Sequence, residues 1–171
     1  MLIRRAVLED APQIAKVHVS SWQTAYAGII PDETLASLSI EARTAQWQRS
    51  INNHRNLNEV ALIGDEIVGF AVSGPERDQV KQYDSEIYAL YILQAHQGKG
   101  IGKALVHSAM KELRDRGFQT MLIWVLEDNL PARGFYERMG GVLIKETLTF
   151  HVGGVELAEI AFGYDLDTIP G

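Results

Sequence analysis

The sequence predicts an α/β (α+β) protein in which about seven strands form one sheet flanked by about four helices. Runs rich in β-branched and aromatic residues alternate with stretches of helical periodicity, and glycine-containing turns separate them. A glycine-rich loop joins one such strand to an amphipathic helix. At 171 residues, 46% of them hydrophobic, the chain has enough apolar side chains for one sizeable core, and no linker or low-complexity run interrupts it. We therefore expect a single domain over residues 1–171.

The first half of the chain predicts a strand, two helical regions and a hairpin. Glu9 and Asp10 place acidic residues at the positive end of the first helix, and the second helical region is expected to break near Ser39. The short turn at Gly64-Asp65 joins two β-rich runs, and Gly74-Pro75 ends the second of them. In order, we expect a strand at 2–6, a helix from 9, helical residues at 31–53, strands at 60–63 and 67–72, and a polar surface loop at 76–84.

The second half predicts two strand-and-helix units followed by a hairpin. Gly117 ends the first of these helices as a C′ residue, whereas Asn129 caps the start of the second, which Gly140 or Gly141 ends. Gly153-Gly154 supplies the turn between the last two strands. In order, we expect a strand at 86–93, a helix at 101–117, a strand at 118–126, a helix from 129, and strands at 142–150 and 155–162.

The loop between the strand at 86–93 and the helix at 101–117 has the character of an anion site. Its three glycines let a ligand approach the backbone closely, and the helix start offers unpaired N–H groups and a positive dipole end. Two familiar phosphate loops are excluded by spacing. A nucleotide-triphosphate loop needs a glycine and a hydroxyl residue where this chain has Gln97 and Ala104. A dinucleotide fingerprint needs a third glycine where this chain has Lys103 or Leu105.

What remains, Gln97-x-x-Gly100-x-Gly102, resembles the pyrophosphate-binding motif of the GNAT superfamily of N-acetyltransferases. A second motif resembling a GNAT signature follows in the family's order and spacing, with Asn129 at the start of a helix that carries Phe135-Tyr136-Glu137. The order of predicted elements is also that of a GNAT domain, so the resemblance covers nearly the whole chain. The chain departs from the family's pattern at Gln94, where a proline is frequent, and at Gly141, where an aromatic residue is frequent. Both departures concern packing rather than chemistry.

The resemblance implies a mixed, mostly antiparallel, splayed sheet, and acetyl-CoA as co-substrate without a metal. In the family, the pantetheine arm pairs with the main chain of a strand, and the loop holds the pyrophosphate. Lys99 and Lys103 are also consistent with solvated charges. By position, the resemblance assigns to the cofactor the main-chain groups of Leu90, Tyr91 and Ile92, the loop residues Gln97, Gly98, Lys99, Gly100, Ile101, Gly102 and Lys103, and the side chains of Asn129 and Tyr136.

Acetyl transfer needs a neutral amine, whereas a primary alkyl amine has a solution pKa of about 10, so a general base or a water chain leading to one is expected. Glu86 resembles the position of the carboxylate that acts as base in several relatives, and an ordinary solvent-exposed charge at a strand end is an equal alternative. Period-two alternation predicts that Glu86 shares one strand face with Tyr88, Leu90 and Ile92. The alternative bases are His54, His96 and His151.

Tyr136 matches the tyrosine that in many relatives lies near the sulfur as general acid or hydrogen-bond donor. Asn129 and Tyr136 are seven residues apart, which is two helical turns, so both are expected on one side of the helix. A core role alone would not need the Tyr136 hydroxyl, because burying a hydroxyl has a cost that Phe135 avoids. We therefore favour a catalytic role for Tyr136, while Asn129 is expected to cap the helix and to contact the pantetheine arm.

The acceptor is expected to be an amine that carries positive charge. Sixteen Lys and Arg against 22 Asp and Glu leave a net charge of −6, which argues against a nucleic-acid surface and mildly favours cationic small molecules or basic peptide ends. Trp22 and Tyr26 lie between the first two helices, the region that covers the acceptor side in GNAT proteins, and Asp32 and Glu33 follow them. These four side chains are candidates for an aromatic and acidic grip on the amine, although packing of the helix pair explains at least one ring.

The composition excludes further classes of function. There is no cysteine, so a disulfide framework, a thiolate metal site and an acyl-cysteine intermediate are excluded. No targeting segment or membrane-length apolar run is found, so we expect a cytoplasmic protein without a membrane partner. Exposed strand edges would allow a homodimer. Two alternatives to an acetyltransferase stay open, namely a non-catalytic acyl-CoA-binding sensor of the same fold and a small nucleotide-phosphate binder.

Overall fold

A computed structural model describes residues 1–168 and contains one sheet of seven strands in the order β1-β2-β3-β4-β5-β7-β6. The predicted break near Ser39 is present, and it divides the second helical region in two, so the described residues contain five α-helices rather than four. The strands are β1 Leu2–Arg5, β2 Leu57–Ile63, β3 Glu66–Pro75, β4 Ser85–Ile92, β5 Thr120–Leu126, β6 Val142–Val152 and β7 Val155–Asp165. The helices are α1 Ala11–Ala25, α2 Asp32–Ala36, α3 Ile40–Asn52, α4 Ile101–Asp115 and α5 Leu130–Arg138.

The sheet is mixed, mostly antiparallel and splayed, as expected. Every neighbouring pair of strands is antiparallel except β4 and β5. Those two parallel strands pair only over 85–87 and 121–123, although β4 continues to Ile92 and β5 to Leu126. The two strands therefore separate beyond Ile87, and a gap opens in the middle of the sheet. The edges of the sheet are β1 and β6, and the expected homodimer stays a prediction.

Helices cover both faces of the sheet, and each face has its own apolar core. On one face α1 and α3 pack on β2 and β3 around Phe70, and on the other α4 and α5 pack on β5 and β7 around Phe162. Both rings are almost completely buried, and each contributes on the order of 1.5–3 kcal/mol by leaving water. Within residues 1–168, none of the helices has both the length and the apolar character needed to cross a bilayer.

A β-bulge at Tyr88 overturns the predicted alternation along β4. Val72 of β3 faces Ala89, whereas the next residue, Ser73, faces Ile87, so Tyr88 is an extra residue without a partner in β3. An extra residue shifts the side-chain period by one position. Glu86 and Tyr88 therefore share the face that carries α1, whereas Ile87, Leu90 and Ile92 pack toward α4. The prediction that Leu90 and Ile92 share a face with Glu86 was wrong for this reason.

Several predicted boundaries move in the structure, among them the start of β2, which lies at Leu57 rather than at 60. β3 continues through Gly74 and Pro75 because both pair with the start of β4. β5 begins at Thr120 rather than at 118, after Gly117 ends α4 with a φ of +93°. In the last hairpin, β6 extends to Val152 and β7 begins at Val155, and the predicted Gly153-Gly154 turn joins them. The segment 76–84 is a connecting loop, as expected.

Glu59 gives a first test of this packing. It lies on β2 with 4% exposure, and one carboxylate oxygen accepts a hydrogen bond from Ser108 of α4 while the other has no partner in residues 1–168. Burial, and next the charge of Glu112, raises the pKa of Glu59 against the opposing hydrogen bond from Ser108. Because the pKa of Glu59 is higher in the folded protein, its contribution to stability is fully present below its pKa of about 4.3 in the unfolded chain. That contribution is lost as pH rises through its pKa in the folded protein.

We therefore expect the free energy of unfolding of the wild type to fall by about 1 kcal/mol relative to that of Glu59→Gln between pH 5 and pH 8. Chemical denaturation at the two pH values measures this difference. The control is Glu66→Gln, which changes an exposed carboxylate on β3 and should match the wild type at both values. A wild type that gains stability relative to Glu59→Gln on going from pH 5 to pH 8 would contradict the expected raised pKa.

Candidate active site

The gap between β4 and β5 is the centre of the candidate site. Beyond Ile87 the edge of β4 that faces β5 has no strand partner, whereas the opposite edge stays paired with β3 up to Ile92. Main-chain groups of Leu90, Tyr91 and Ile92 therefore lie along an open strand edge. Such an edge can bind an extended amide-containing chain as an additional strand, which is the role that the sequence analysis gave to these residues.

The glycine-rich loop lies at the end of β4 and opens directly into α4. Gly98 and Gly100 have φ values of +73° and +81°, in the left-handed region where a side chain is disfavoured, and Gly100 is the N-cap of α4. The first helical hydrogen bond is donated by Ala104 to Gly100, so the N–H groups of residues 101–103 have no acceptor within the helix. This geometry is that of an anion site built from backbone donors.

The side chains of the loop contribute less than its backbone. Gln97 donates through Nε2 to the carbonyl of Ile92 at 3.2 Å, which ties the loop to the end of β4. Lys99 and Lys103 are exposed and make no ion pair in residues 1–168. We interpret Gln97 as a support for the loop conformation and the two lysines as mobile charges near it.

Gly102 is the loop residue with the least free space. A Cβ at this position would lie 3.0 Å from Cδ1 of Ile92 and 3.2 Å from Cζ of Phe135, so these side chains or the start of α4 would have to give by a few tenths of an ångström. We expect Gly102→Ala to weaken coenzyme A binding about tenfold, because charge-assisted bonds worth about 1.5–3 kcal/mol depend on the position of the helix start. Calorimetry of coenzyme A binding measures this. Lys99→Ala should weaken binding less, and His107→Ala, one turn further along α4, should leave it unchanged.

Asn129 and Tyr136 lie on α5, beside the gap. The Asn129 side chain accepts a hydrogen bond from the backbone N–H of Ala132 at 3.3 Å, which confirms the predicted helix cap. Tyr136 is 6% exposed, and its hydroxyl makes no hydrogen bond with any residue in 1–168. Burial, and then the neighbouring hydroxyls of Tyr91 and Tyr164, raises the pKa of Tyr136. Its phenol is therefore protonated at neutral pH and has a hydrogen to donate.

Glu86 is neither an exposed charge nor a free base in this structure. Its side chain is 1% exposed and accepts hydrogen bonds from Arg77, at 2.7 Å and 3.3 Å from the guanidinium and at 3.3 Å from the backbone N–H. The guanidinium carbon of Arg77 also lies 3.8 Å from the centre of the Tyr88 ring. Burial raises the pKa of Glu86, while the bonds from Arg77 act in the opposite direction. The alternative of a solvent-exposed charge at the strand end was wrong.

Aromatic side chains form the wall of the site on the α1 side. The Tyr26 hydroxyl lies 3.0 Å from the hydroxyl of Tyr91, and Trp22 packs edge-on against Tyr26 and Phe150. Arg43 places its guanidinium carbon 5.5 Å from the centre of the Trp22 ring. The predicted pair of Trp22 and Tyr26 is thus brought to the site, and a cation already lies over Trp22.

Other predicted groups lie elsewhere. Asp32 and Glu33 are exposed in the first turn of α2, and their side chains make no hydrogen bond or ion pair within residues 1–168. Of the alternative bases, His54 and His151 are exposed, and His151 lies 3.5 Å from Glu156. His96 lies in the turn after β4, where its Nδ1 is buried and has no hydrogen-bond partner among residues 1–168.

His18 and Glu159 are site residues that the sequence analysis missed. His18 stacks on Tyr91 at 5.4 Å between ring centres, and burial, with a smaller effect of Arg43, lowers its pKa to about 3. His18 is therefore neutral and supports Tyr91 by packing. Glu159 lies on β7, where burial raises its pKa, followed by the charges of Asp78 and Glu86. A lone carboxylate within the otherwise apolar run from 157 to 162 was the available signal for Glu159.

Carboxylates surround Arg77 at the mouth of the site. Glu76, Asp78 and Glu86 each place one oxygen within 4.8 Å of the others. Beside them a cleft of about 400 Å³ is lined by residues 78–82 of the loop, by Trp124 of β5 and by Glu146 of β6. The arrangement joins acidic groups to an aromatic ring, and it suits a ligand with positive charge.

Comparison with known proteins agrees with this geometry. A family model described as the acetyltransferase (GNAT) family matches residues 19–141. The chain is 38% identical over 165 residues to the uncharacterized N-acetyltransferase YuaI of Bacillus subtilis, covering 95% of this chain and 91% of that relative. It is 29% identical over 112 residues to the ribosomal protein bS18-alanine N-acetyltransferase of Haemophilus influenzae, covering 63% and 73% respectively. The crystal structure of PaiA N-acetyltransferase from Thermoplasma acidophilum in complex with coenzyme A has a TM-score of 0.75 at 23% identity, covering 96% and 98%.

Proposed function

The chain belongs to the GNAT acetyltransferase family, and we propose that it moves the acetyl group of acetyl-CoA to a primary amine of a cationic small molecule or peptide. The observation that carries the proposal is the open edge of β4, which leads on one end to the backbone anion site of α4 and lies beside the free hydroxyl of Tyr136. A co-substrate with an amide-containing arm, a pyrophosphate and a thioester would match these three features in that order.

The residues present fit acetyl-CoA. Backbone groups of Leu90 to Ile92 would hold the pantetheine arm, and N–H groups from Gly98 to Lys103 would hold the pyrophosphate. The free amide nitrogen of Asn129 is available to the arm, since only the side-chain oxygen is used in the helix cap. When bound, acetyl-CoA supplies an activated acyl group as a thioester.

Tyr136 is proposed as the group that protonates the departing thiolate. Its buried phenol is neutral at physiological pH and has no competing acceptor in residues 1–168. The chain has no cysteine, so the amine is expected to attack directly while both substrates are bound. This role fits the predicted placement of Tyr136 and Asn129 along one helix.

The acceptor side is proposed to bind an ammonium group between Tyr26, Trp22 and the carboxylates. Glu86 would belong to this surface as a charged group, and it can accept a proton only after Arg77 moves away from it. Relatives named for a ribosomal-protein alanine and for mycothiol show that peptide and small-molecule acceptors both occur among similar proteins. The cleft beside Arg77 carries two carboxylates, Asp78 and Glu146, against one cation, Lys81, and this balance favours acceptors that carry positive charge.

Release of free thiol from acetyl-CoA tests the proposal. Pools of polyamines, aminoglycosides, amino acids and short peptides are offered as acceptors, and a thiol reagent reports coenzyme A without background from the cysteine-free chain. Turnover with a cationic pool supports the proposal and identifies the acceptor class. Coenzyme A binding without turnover in any pool would favour the acyl-CoA sensor, and binding of ATP without binding of coenzyme A would favour a nucleotide-phosphate binder.

A further inference from the structure

Glu159 lies at the same level of the sheet as the gap between β4 and β5. In β7 it pairs with Leu126, the last residue of β5, on one side and with Leu148 of β6 on the other. Its neighbours Ile160 and Phe162 pack toward α4 and α5. Because side chains alternate along a strand, Glu159 projects from the opposite face, which is the face of Phe150 and Trp22.

The charged and titratable groups that interact with Glu159 lie at the end of α1, on β4 and in the loop 76–84. Burial first, and among the smaller effects the charge of Glu159, raises the pKa of Tyr26 at the end of α1 and of Tyr91 on β4, so the carboxylate lies within electrostatic reach of that hydroxyl pair. Tyr136 of α5 acts on Tyr26 in the same way. On the other side, burial first and then the charges of Asp78 and Glu86 raise the pKa of Glu159, and Arg77 lowers it by a smaller amount. Glu159 thus lies between the tyrosines beside the gap and the acidic mouth of the site.

Glu159 differs from Glu86 in having no partner. Within residues 1–168, its carboxylate accepts no hydrogen bond and forms no ion pair, whereas Glu86 accepts three bonds from Arg77. Glu159 is partly buried rather than sealed from solvent, so an acceptor or a water molecule can reach it. A half-buried carboxylate without a counter-ion holds a proton more readily than an exposed one, as a general base requires.

We propose that Glu159, rather than Glu86, takes the proton from the ammonium group of the acceptor, directly or through one water molecule. The neutral amine nitrogen then forms a bond to the acetyl carbon as the carbon–sulfur bond breaks. Tyr136 gives its phenolic proton to the thiolate and regains one from the acylated nitrogen. Glu159 releases its proton to solvent, so the balance is one ammonium and one thioester converted to one amide, one thiol and one proton.

The inference rests on the proposed acetyl transfer, and turnover by the wild type tests that transfer alone. Glu159→Gln keeps the size of the side chain and removes the base, so kcat with an alkyl amine is expected to fall about 10²-fold. Glu86→Gln should cause a loss at least tenfold smaller. The matched control is Glu156→Gln, which changes a carboxylate with 74% of its side chain exposed on the same strand and should retain wild-type kcat.

A weakly basic acceptor separates proton removal from structure. An alkoxyamine is unprotonated at neutral pH and needs no base before attack, so Glu159→Gln should approach the wild-type rate with it. Equal losses with the alkyl amine and with the alkoxyamine, or a larger loss in Glu86→Gln than in Glu159→Gln, would overturn the assignment. A melting temperature at or above the wild-type value and an unchanged coenzyme A affinity, both expected for Glu159→Gln, show that the variant is folded.

A second measurement does not depend on turnover. Carbon NMR of glutamate-labelled protein, assigned by the resonance that disappears in Glu159→Gln, follows the ionisation of this carboxyl group directly. We expect it to titrate above the ordinary glutamate value of about 4.3. Titration at or below that value would show a carboxylate too acidic to hold the acceptor's proton and would overturn the proposal even if no acceptor had yet been found.

Discussion

Replacing Tyr136 with phenylalanine is expected to lower kcat about 10²-fold while leaving coenzyme A affinity and the melting temperature nearly unchanged. The ring keeps its packing, and the hydroxyl that is lost makes no hydrogen bond with residues 1–168. Its absence therefore removes the proposed proton donor without leaving a buried partner unsatisfied. Steady-state thiol release, calorimetry of coenzyme A binding and thermal denaturation measure the three quantities.

Tyr164→Phe is the matched control for this variant. The Tyr164 hydroxyl donates to the backbone carbonyl of Tyr136 at 3.0 Å and is buried. Its removal should cost about 1 kcal/mol of stability, because one buried hydrogen bond is lost while the carbonyl keeps its bond from the Gly141 N–H, and should leave kcat within about twofold. Tyr136→Phe should thus lose activity and keep its stability, whereas Tyr164→Phe should lose stability and keep its activity. Loss of affinity and kcat to the same extent in Tyr136→Phe would argue against a role at the sulfur.

The parts of the site that are local in sequence were predictable. Spacing of the glycines places Gly100 at the N-cap of α4, and the Asn129 cap starts α5 with Tyr136 two turns later. These features depend on residues within about ten positions of one another, and capping and left-handed backbone requirements are local. The same reason explains why the break near Ser39 and the Gly153-Gly154 turn were predicted correctly.

The parts that depend on topology were not predictable from one sequence. Arg77 binds Glu86 because β3 and β4 pair, and Glu159 acts electrostatically on Tyr26 only because β7 lies between β5 and β6. The bulge at Tyr88 reversed the predicted face of Leu90, since one extra residue is invisible to a period-two pattern. Alternation therefore identified β4 as a strand but did not determine which of its side chains face the acceptor.

Arg77→Ala is expected to lower the free energy of unfolding by about 2 kcal/mol at pH 7, a large effect for a side chain that is 55% exposed. The reason lies in its partner, because Glu86 is buried and would lose its guanidinium donors. Lys81→Ala, which changes another exposed cation in the same loop, is the control and should stay within about 0.5 kcal/mol of the wild type. Chemical denaturation of the three proteins measures these differences.

The pH dependence of this deficit identifies its cause. Burial already raises the pKa of Glu86, and without the opposing bonds from Arg77 the pKa rises further. Protonated Glu86 no longer needs a counter-ion. The stability of Arg77→Ala is therefore retained below the pKa of about 4.3 that Glu86 has in the unfolded chain, and it is lost as pH rises through the pKa of Glu86 in the folded protein. The deficit should shrink near pH 4, and adding Glu86→Gln should remove most of it at pH 7. A stability deficit that persists both near pH 4 and in the double variant at pH 7 would instead come from the lost contact of Arg77 with the Tyr88 ring.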